Sequence, residues 1–183
     1  PTSPPVIAGD TLIIGASVND NYAVESPSGV IRAYDVHTGK LLWNWDSGNP
    51  DATEPFDPAN PDQVYKASSP NSWTVFSADA ELGLVYVPLG NRVPDQLGQY
   101  RNEHEEKYTA AVVALDIKTG KLKWHQQTVH HDLWDMDLAS QPVLLDLDLE
   151  KGRTPALVLP TKQGDVYVLD RRDGTPIHAV TER

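Results

Sequence analysis

Short runs rich in Val, Ile, Leu and Tyr recur along the chain, separated by turns that carry Gly, Pro, Asp and Asn. Runs of this length and composition predict β-strands, and no stretch sustains a helical period for more than two turns. The strands come in a repeat. One copy, residues 30–43, reads Val-Ile-Arg-Ala-Tyr-Asp-Val-His-Thr-Gly-Lys-Leu-Leu-Trp, and a second, residues 111–124, reads Ala-Val-Val-Ala-Leu-Asp-Ile-Lys-Thr-Gly-Lys-Leu-Lys-Trp. A weaker third copy over 165–177 keeps Asp170 and Gly174 and has His178 where the Trp would stand. In each copy a strand ends at an Asp whose carboxylate can accept from turn amides. The Gly four residues on can take positive φ without strain, and a second strand then returns. Each copy is thus a β-hairpin with a loop of about four or five residues.

Two further strands are expected ahead of each hairpin: residues 5–8 and 11–14, then 73–78 and 84–88, then 142–146 and 156–160. The result is an all-β chain of three four-stranded antiparallel units, over 1–49, 70–128 and 138–183. Repeated four-stranded sheets predict blades of a β-propeller, with Trp43 and Trp124 packed between neighbours. Three blades cannot close a ring, so the chain, which begins at Pro1, is expected to be part of a longer protein. Two stretches break the pattern. Residues 47–69 are rich in Pro, Asp and Asn, and residues 90–108 interrupt the second unit, carrying Asn91, Arg92 and Asp95 directly off a strand. Loops of that length in a compact domain are usually functional or mobile.

Composition narrows the chemistry. At 183 residues and 39% hydrophobic the chain can bury a sizeable core. A net charge of −11 disfavours nucleic acid and anionic membrane surfaces as partners. The absence of cysteine excludes disulfides and thiolate metal sites. No apolar run approaches the roughly 20 residues that span a bilayer, and no signal peptide is visible. Against this background one stretch stands out: His130-His131-Asp132-Leu133-Trp134-Asp135-Met136-Asp137. It concentrates two imidazoles and three carboxylates in eight residues. Other candidates recur at one place in successive units, just after the second strand. They are Asn19-Asp20-Asn21, Asn91 and Lys162. Asp and Asn are hard oxygen donors suited to Ca²⁺ or Mg²⁺. Singly, each reads as a turn residue; their shared position sets them apart.

These residues carry a resemblance. The pattern Ala-x-Asp-x-x-Thr-Gly-x-x-x-Trp, present twice, resembles the tryptophan-docking motif of pyrroloquinoline quinone (PQQ) dehydrogenases. Residues 128–137 resemble the catalytic stretch of the membrane-bound glucose dehydrogenase branch, as do Ser69-Pro70-Asn71-Ser72-Trp73, Thr161-Lys162-Gln163-Gly164-Asp165 and Val168-Leu169-Asp170-Arg171-Arg172. The likeness covers essentially the whole chain. It implies part of an eight-bladed propeller holding PQQ and Ca²⁺ or Mg²⁺ at its axis, facing the periplasm and passing electrons to membrane ubiquinone. It implies Asp135 as catalytic base, Trp73 as the ring stacked on PQQ, and Lys162 as the cation at the quinone oxygen. Asp20, Asn21 and Asn91 match metal-ligand positions. Asp137 resembles an extra carboxylate of lanthanide-using relatives and is expected to support the site from behind. His130 and His131 are not expected to be catalytic.

Under this resemblance the cation polarises the quinone carbonyl while Asp135 takes the hydroxyl proton of a sugar, an aldose such as glucose. Quinate and polyol dehydrogenases share the motifs, so the same chemistry on another alcohol is the neighbouring expectation. From a different class, a non-enzymatic propeller scaffold resembling outer-membrane assembly lipoproteins would need the hairpin repeat but not Trp73, Lys162 or Trp134-Asp135. The segment alone is expected to lack dehydrogenase activity, since further blades would complete the pocket.

Overall fold

The computed structural model describes residues 4–19 and 21–180. Their strands form three antiparallel sheets joined in chain order. The first holds β1 (Val6–Ala8), β2 (Thr11–Ile14), β3 (Ile31–Asp35) and β4 (Leu41–Trp45). The second holds β5 (Ser77–Asp79), β6 (Leu84–Pro88), β7 (Ala111–Asp116) and β8 (Leu122–Gln127). The third holds β9 (Val143–Leu149), β10 (Gly152–Pro160) and β11 (Val166–Asp170).

The side-chain alternation of a strand explains how the sheets stack. In β6, Val85 and Val87 join a core shared with Ile13, Ile31 and Trp43 of the first sheet. Their neighbours Leu84 and Tyr86 join a second core with Leu157, Leu159 and Leu169 of the third. In β7, Val113 and Leu115 face one way, Val112 and Ala114 the other. The middle sheet therefore buries both faces, which is why β6 and β7 are continuous apolar runs. In β2, whose sheet packs against another on one face among the described residues, buried Thr11 and Ile13 alternate with half-buried Leu12 and Ile14.

The repeated hairpins close as their chemistry demands. Asp35 Oδ1 accepts from the His37 amide at 3.0 Å, the Thr38 amide at 2.7 Å and the Thr38 hydroxyl at 2.8 Å. Asp116 Oδ1 repeats the set with Lys118 and Thr119. Gly39 and Gly120 both stand at φ +70°. Each Trp then docks on the following hairpin. Trp43 Nε1 donates to the Ile117 carbonyl at 2.8 Å, and its ring lies so close to Gly120 that a Cβ there would fall 2.6 Å from Cε3. Trp124 repeats this with the Arg171 carbonyl at 3.2 Å and the turn at Gly174.

Arg171 ties the second and third sheets together. Its side chain, 14% exposed, donates from Nε to Asp79 Oδ2 and from Nη1 to Asp146 Oδ1 and the Leu145 carbonyl, each at 2.8 Å. Burial raises the Asp79 carboxyl, but the Leu82 amide and the Arg171 guanidinium outweigh it and hold the group below the ordinary range. Asp146 is lowered too, chiefly by its hydrogen bond from Arg171. Groups lowered in the folded state stabilise it fully above their unfolded pKa, near 4, and lose that contribution as pH falls through the depressed values. Arg171→Met is therefore expected to cost about 2–3 kcal/mol at pH 7 and markedly less at pH 3. Urea unfolding at the two pH values measures the difference, and an equal penalty at both would refute the ionic account.

Two expectations need correction. The third sheet has three strands among the described residues, not four. After the Gly174 turn the chain makes one bridge, Leu169 to Pro176, and the Ile177 amide donates to the Val168 carbonyl at 2.8 Å. Pro176 brings no N–H with which to extend a ladder. Trp73 does not open a strand, because β5 starts only at Ser77. The intervening residues are tied laterally instead, as when Thr74 Oγ1 donates to the Ala139 carbonyl at 3.1 Å. Consistent with the absence of any helical period beyond two turns, the 90–108 loop holds only a 3₁₀ turn at Gly98–Tyr100 and the short helix α1, Glu103–Tyr108. Asn102 and Glu105 cap that helix reciprocally, each side chain accepting the other's amide at 2.8 Å.

Candidate active site

The site is assembled where β6 and β10 end. Beyond β6, Leu89 and Gly90 run between three other segments: the Gly90 amide donates to the Asn71 carbonyl at 2.8 Å, Ala110 donates to Gly90 at 3.2 Å, and Leu138 donates to Leu89 at 3.3 Å. Asn91 is thereby carried into the interior, with no exposed surface. Its Nδ2 donates to Asp132 Oδ2 at 2.7 Å and its amide to Asp137 Oδ1 at 2.7 Å. Asn91 Oδ1 is buried without a hydrogen-bond partner. A buried amide oxygen in that state departs from the general rule of satisfaction.

The three carboxylates of the 130–137 stretch take three different environments. Asp132 is wholly buried and folds its own loop, accepting from the Trp134 amide at 2.8 Å, the Met136 amide at 2.6 Å and Asn91. Asp137 is buried against Gly90. Its Oδ2 accepts from Trp73 Nε1 at 2.8 Å while Oδ1 accepts from Asn91. Burial pushes its carboxyl above the ordinary range, and the nearby Asp135 charge adds to this; the indole N–H, Lys162 and the Asn91 amide pull the other way. Asp135, between them, remains partly open to solvent. Its backbone adopts φ +62°, a left-handed conformation that Asp tolerates better than most residues. Lys162, from the turn after β10, donates to the Asp135 carbonyl at 2.9 Å and to Oδ1 at 3.2 Å.

Trp73 and Asn91 thus meet at Asp137, Asn91 also reaches Asp132, and the Asp135–Lys162 pair stands within electrostatic range of Asp137. Asn21 does not join them directly. Its side chain forms a reciprocal pair with Asp95, at 2.9 Å from Nδ2 to Oδ2 and 3.0 Å from the Asp95 amide to Oδ1. Asp20 lies outside the described residues. The link between the Asn21 pair and the carboxylates is Arg101, which the sequence reading had not singled out. With a fully buried side chain, it donates from Nη2 to the Asp95 carbonyl at 2.8 Å and to the Asp132 carbonyl. From Nη1 it reaches Glu106, whose other oxygen meets His131 Nδ1 at 3.0 Å. The only local signal for this clamp is the Asn102–Glu105 cap, which orders the segment between Arg101 and Glu106.

The donor set suits the groups that the resemblance implies. The unpartnered Asn91 Oδ1 is the type of oxygen a hard cation takes, and Asp135 has one carboxylate oxygen beyond that held by Lys162. Among the described residues no three His, Asp or Glu side chains form a metal cluster on their own, so amide oxygens and the bound organic group would supply part of any coordination shell. The half-buried Trp73, pinned by its N–H, offers an apolar ring surface. Among the described residues, surface concavities of about 410–640 Å³ lie elsewhere and are lined by other side chains.

The chain is similar over its whole length to known proteins. The family described as PQQ glucose/ethanol/alcohol dehydrogenase, β-propeller domain, matches residues 1–183. Quinoprotein glucose dehydrogenase A of Acinetobacter calcoaceticus is 48% identical over all of this chain and 23% of its own length. The quinate/shikimate dehydrogenase (quinone) of Acinetobacter baylyi is likewise 48% identical, over all of this chain and 22% of its own length. Among solved structures, a europium-containing methanol dehydrogenase superposes with a TM-score of 0.74 at 26% identity, covering 95% of this chain and 32% of that one. The chain spans about a quarter of the length of the curated relatives it matches.

Proposed function

This chain belongs to the β-propeller family of PQQ-dependent glucose/ethanol/alcohol dehydrogenases, and from that premise we propose that it is the base-bearing segment of a longer quinoprotein dehydrogenase that oxidises an aldose. Its sheets are propeller blades, here proposed as part of an eight-bladed ring. The cation is proposed as Ca²⁺ or Mg²⁺, the electron acceptor as ubiquinone, and the compartment as the periplasm.

When bound, PQQ supplies the two-electron acceptor and the cation supplies Lewis acidity. This chain's residues do the rest. Trp73 presents its ring as a flat floor, with its tilt held by Asp137. Asn91 offers Oδ1 to the cation. Asp20 and Asn21 are proposed as further ligands, with Asn21 exchanging its pairing with Asp95 for the ion. Asp135 accepts the substrate hydroxyl proton, and Lys162 fixes that carboxylate from both its main chain and its side chain. The Lys162 ammonium would also hold the quinone oxygen of bound PQQ, supplying positive charge there.

The observation that carries this reading is the convergence of Trp73, Asn91, Asp135 and Lys162 from separate segments on one cluster. Quinate and polyols are the competing substrates, because glucose and quinate relatives are equally similar to the chain. Titrating the intact protein with PQQ should quench tryptophan fluorescence saturably and only with Ca²⁺ or Mg²⁺ present. Dye reduction by the loaded protein should then be faster with glucose than with quinate or glycerol. Absence of quenching with either cation would return the chain to the scaffold class.

A further inference from the structure

We propose that Asp137 is a positioning residue that locks the Trp73 ring to the Asn91 main chain, so that the floor and the cation side of the site keep a fixed mutual orientation. The inference rests on the PQQ reading above and concerns a carboxylate that is not itself asked to touch substrate.

Three contacts define it. Asp137 Oδ2 accepts from the indole at 2.8 Å and Oδ1 from the Asn91 amide at 2.7 Å. The carboxylate also rests on Gly90, where a Cβ would fall 2.7–2.8 Å from its oxygens and carbon. The two donors come from segments on opposite sides of β5 and β6 in the chain, so the bridge is tertiary. Gly90 leaves room for the carboxylate and no more.

A carboxylate is the side chain this geometry requires. Both donors are N–H groups, and an ionised carboxyl is acceptor-only with two oxygens to offer. An amide of the same shape has a single acceptor oxygen. Asn at 137 would satisfy either the indole or the Asn91 amide and turn an N–H₂ toward the other. The bond to Trp73 is also charge-assisted, and so stronger than a neutral one. The alternative role, direct ligation of the cation, would use the same carboxylate for a different purpose, and the two roles separate experimentally.

The test is a double-mutant cycle in the intact protein, with PQQ affinity measured by equilibrium dialysis at fixed Ca²⁺ and again across a Ca²⁺ titration. Asp137→Asn is expected to weaken PQQ binding by about tenfold. Trp73→Phe, which keeps a stacking ring but has no N–H, should weaken it comparably. In the Trp73→Phe background Asp137→Asn should add less than about twofold, because the shared bond is already gone. The half-saturating Ca²⁺ concentration should be the same with and without Asp137→Asn. Full additivity of the two substitutions overturns the proposal. So does a large rise in the Ca²⁺ requirement, which would make Asp137 a ligand. If Asp137→Asn fails to fold, Trp73→Phe decides alone, since unchanged PQQ affinity there means the tether does not matter. Failure of the unsubstituted protein to bind PQQ would instead remove the functional reading from which this one starts.

Discussion

Asp135→Asn in the intact protein is expected to lower kcat by roughly 10²–10⁴-fold, equivalent to about 3–5 kcal/mol of barrier, while leaving PQQ affinity nearly unchanged. The substitution is close to isosteric. Asn tolerates the left-handed backbone at this position as well as Asp does, so the φ of +62° adds no new strain. Lys162 keeps its 2.9 Å bond to the residue 135 carbonyl and can still donate to Oδ1. Asp132 still folds the loop from its own carboxylate, through the Trp134 and Met136 amides. What disappears is the proton acceptor. Steady-state dye reduction, together with PQQ dialysis, measures the split between rate and binding. A kcat within tenfold of the unsubstituted protein would mean that the proton leaves through another group.

Trp43→Ala is expected to be the most damaging substitution for stability, at about 3–5 kcal/mol. The ring is 1% exposed and sits in the core between the first two sheets. Its removal opens a cavity there and leaves the Ile117 carbonyl without its 2.8 Å donor. The contact can also be probed from the other side. Gly39 and Gly120 have the same φ of +70°, but a Cβ on Gly39 meets nothing within 4 Å, whereas one on Gly120 strikes the Trp43 ring at 2.6 Å. Gly39→Ala should therefore cost only the left-handed backbone, about 1–2 kcal/mol. Gly120→Ala should cost that plus about 1–3 kcal/mol of overpacking. Chemical unfolding of the three variants gives the comparison. Equal penalties at the two glycines, or a Trp43→Ala loss under 1 kcal/mol, would show that the sheets are not held by this docking.

Much of the fold was legible because its signals are local. The Asp35–Thr38–Gly39 and Asp116–Thr119–Gly120 turns close through bonds spanning two to four residues. The strands β2 and β6 fall on residues 11–14 and 84–88, as their apolar runs predict. Helix α1 escaped because its six residues are too short to display a period. Trp73 was expected in a strand because it leads an apolar run, yet lateral bonds from the 139–141 segment compete with any ladder there. In the site, the position of Asn91 and Lys162 after second strands was readable. The buried Arg101 clamp was not, since an isolated Arg in a polar loop looks the same whether solvated or enclosed.

By itself the sequence determined the turns, the strand periodicity and the inventory of chemical groups, because these depend on neighbours a few positions apart. Composition and spacing do not rank Asp132, Asp135 and Asp137, the same residue type within six positions; only the family resemblance singles out Asp135 as the base and sets Asp137 behind it. Tertiary structure decided that Asp132 is wholly buried on Asn91, that Asp137 bridges Trp73 and Asn91, and that Asp135 keeps an oxygen toward solvent beside Lys162. The physical reason is that a carboxylate's role is set by its desolvation and its donors. The donors that tell the three apart, Trp73, Asn91 and Lys162, lie 27 to 64 positions away in the chain, and only the packing of whole sheets brings them together.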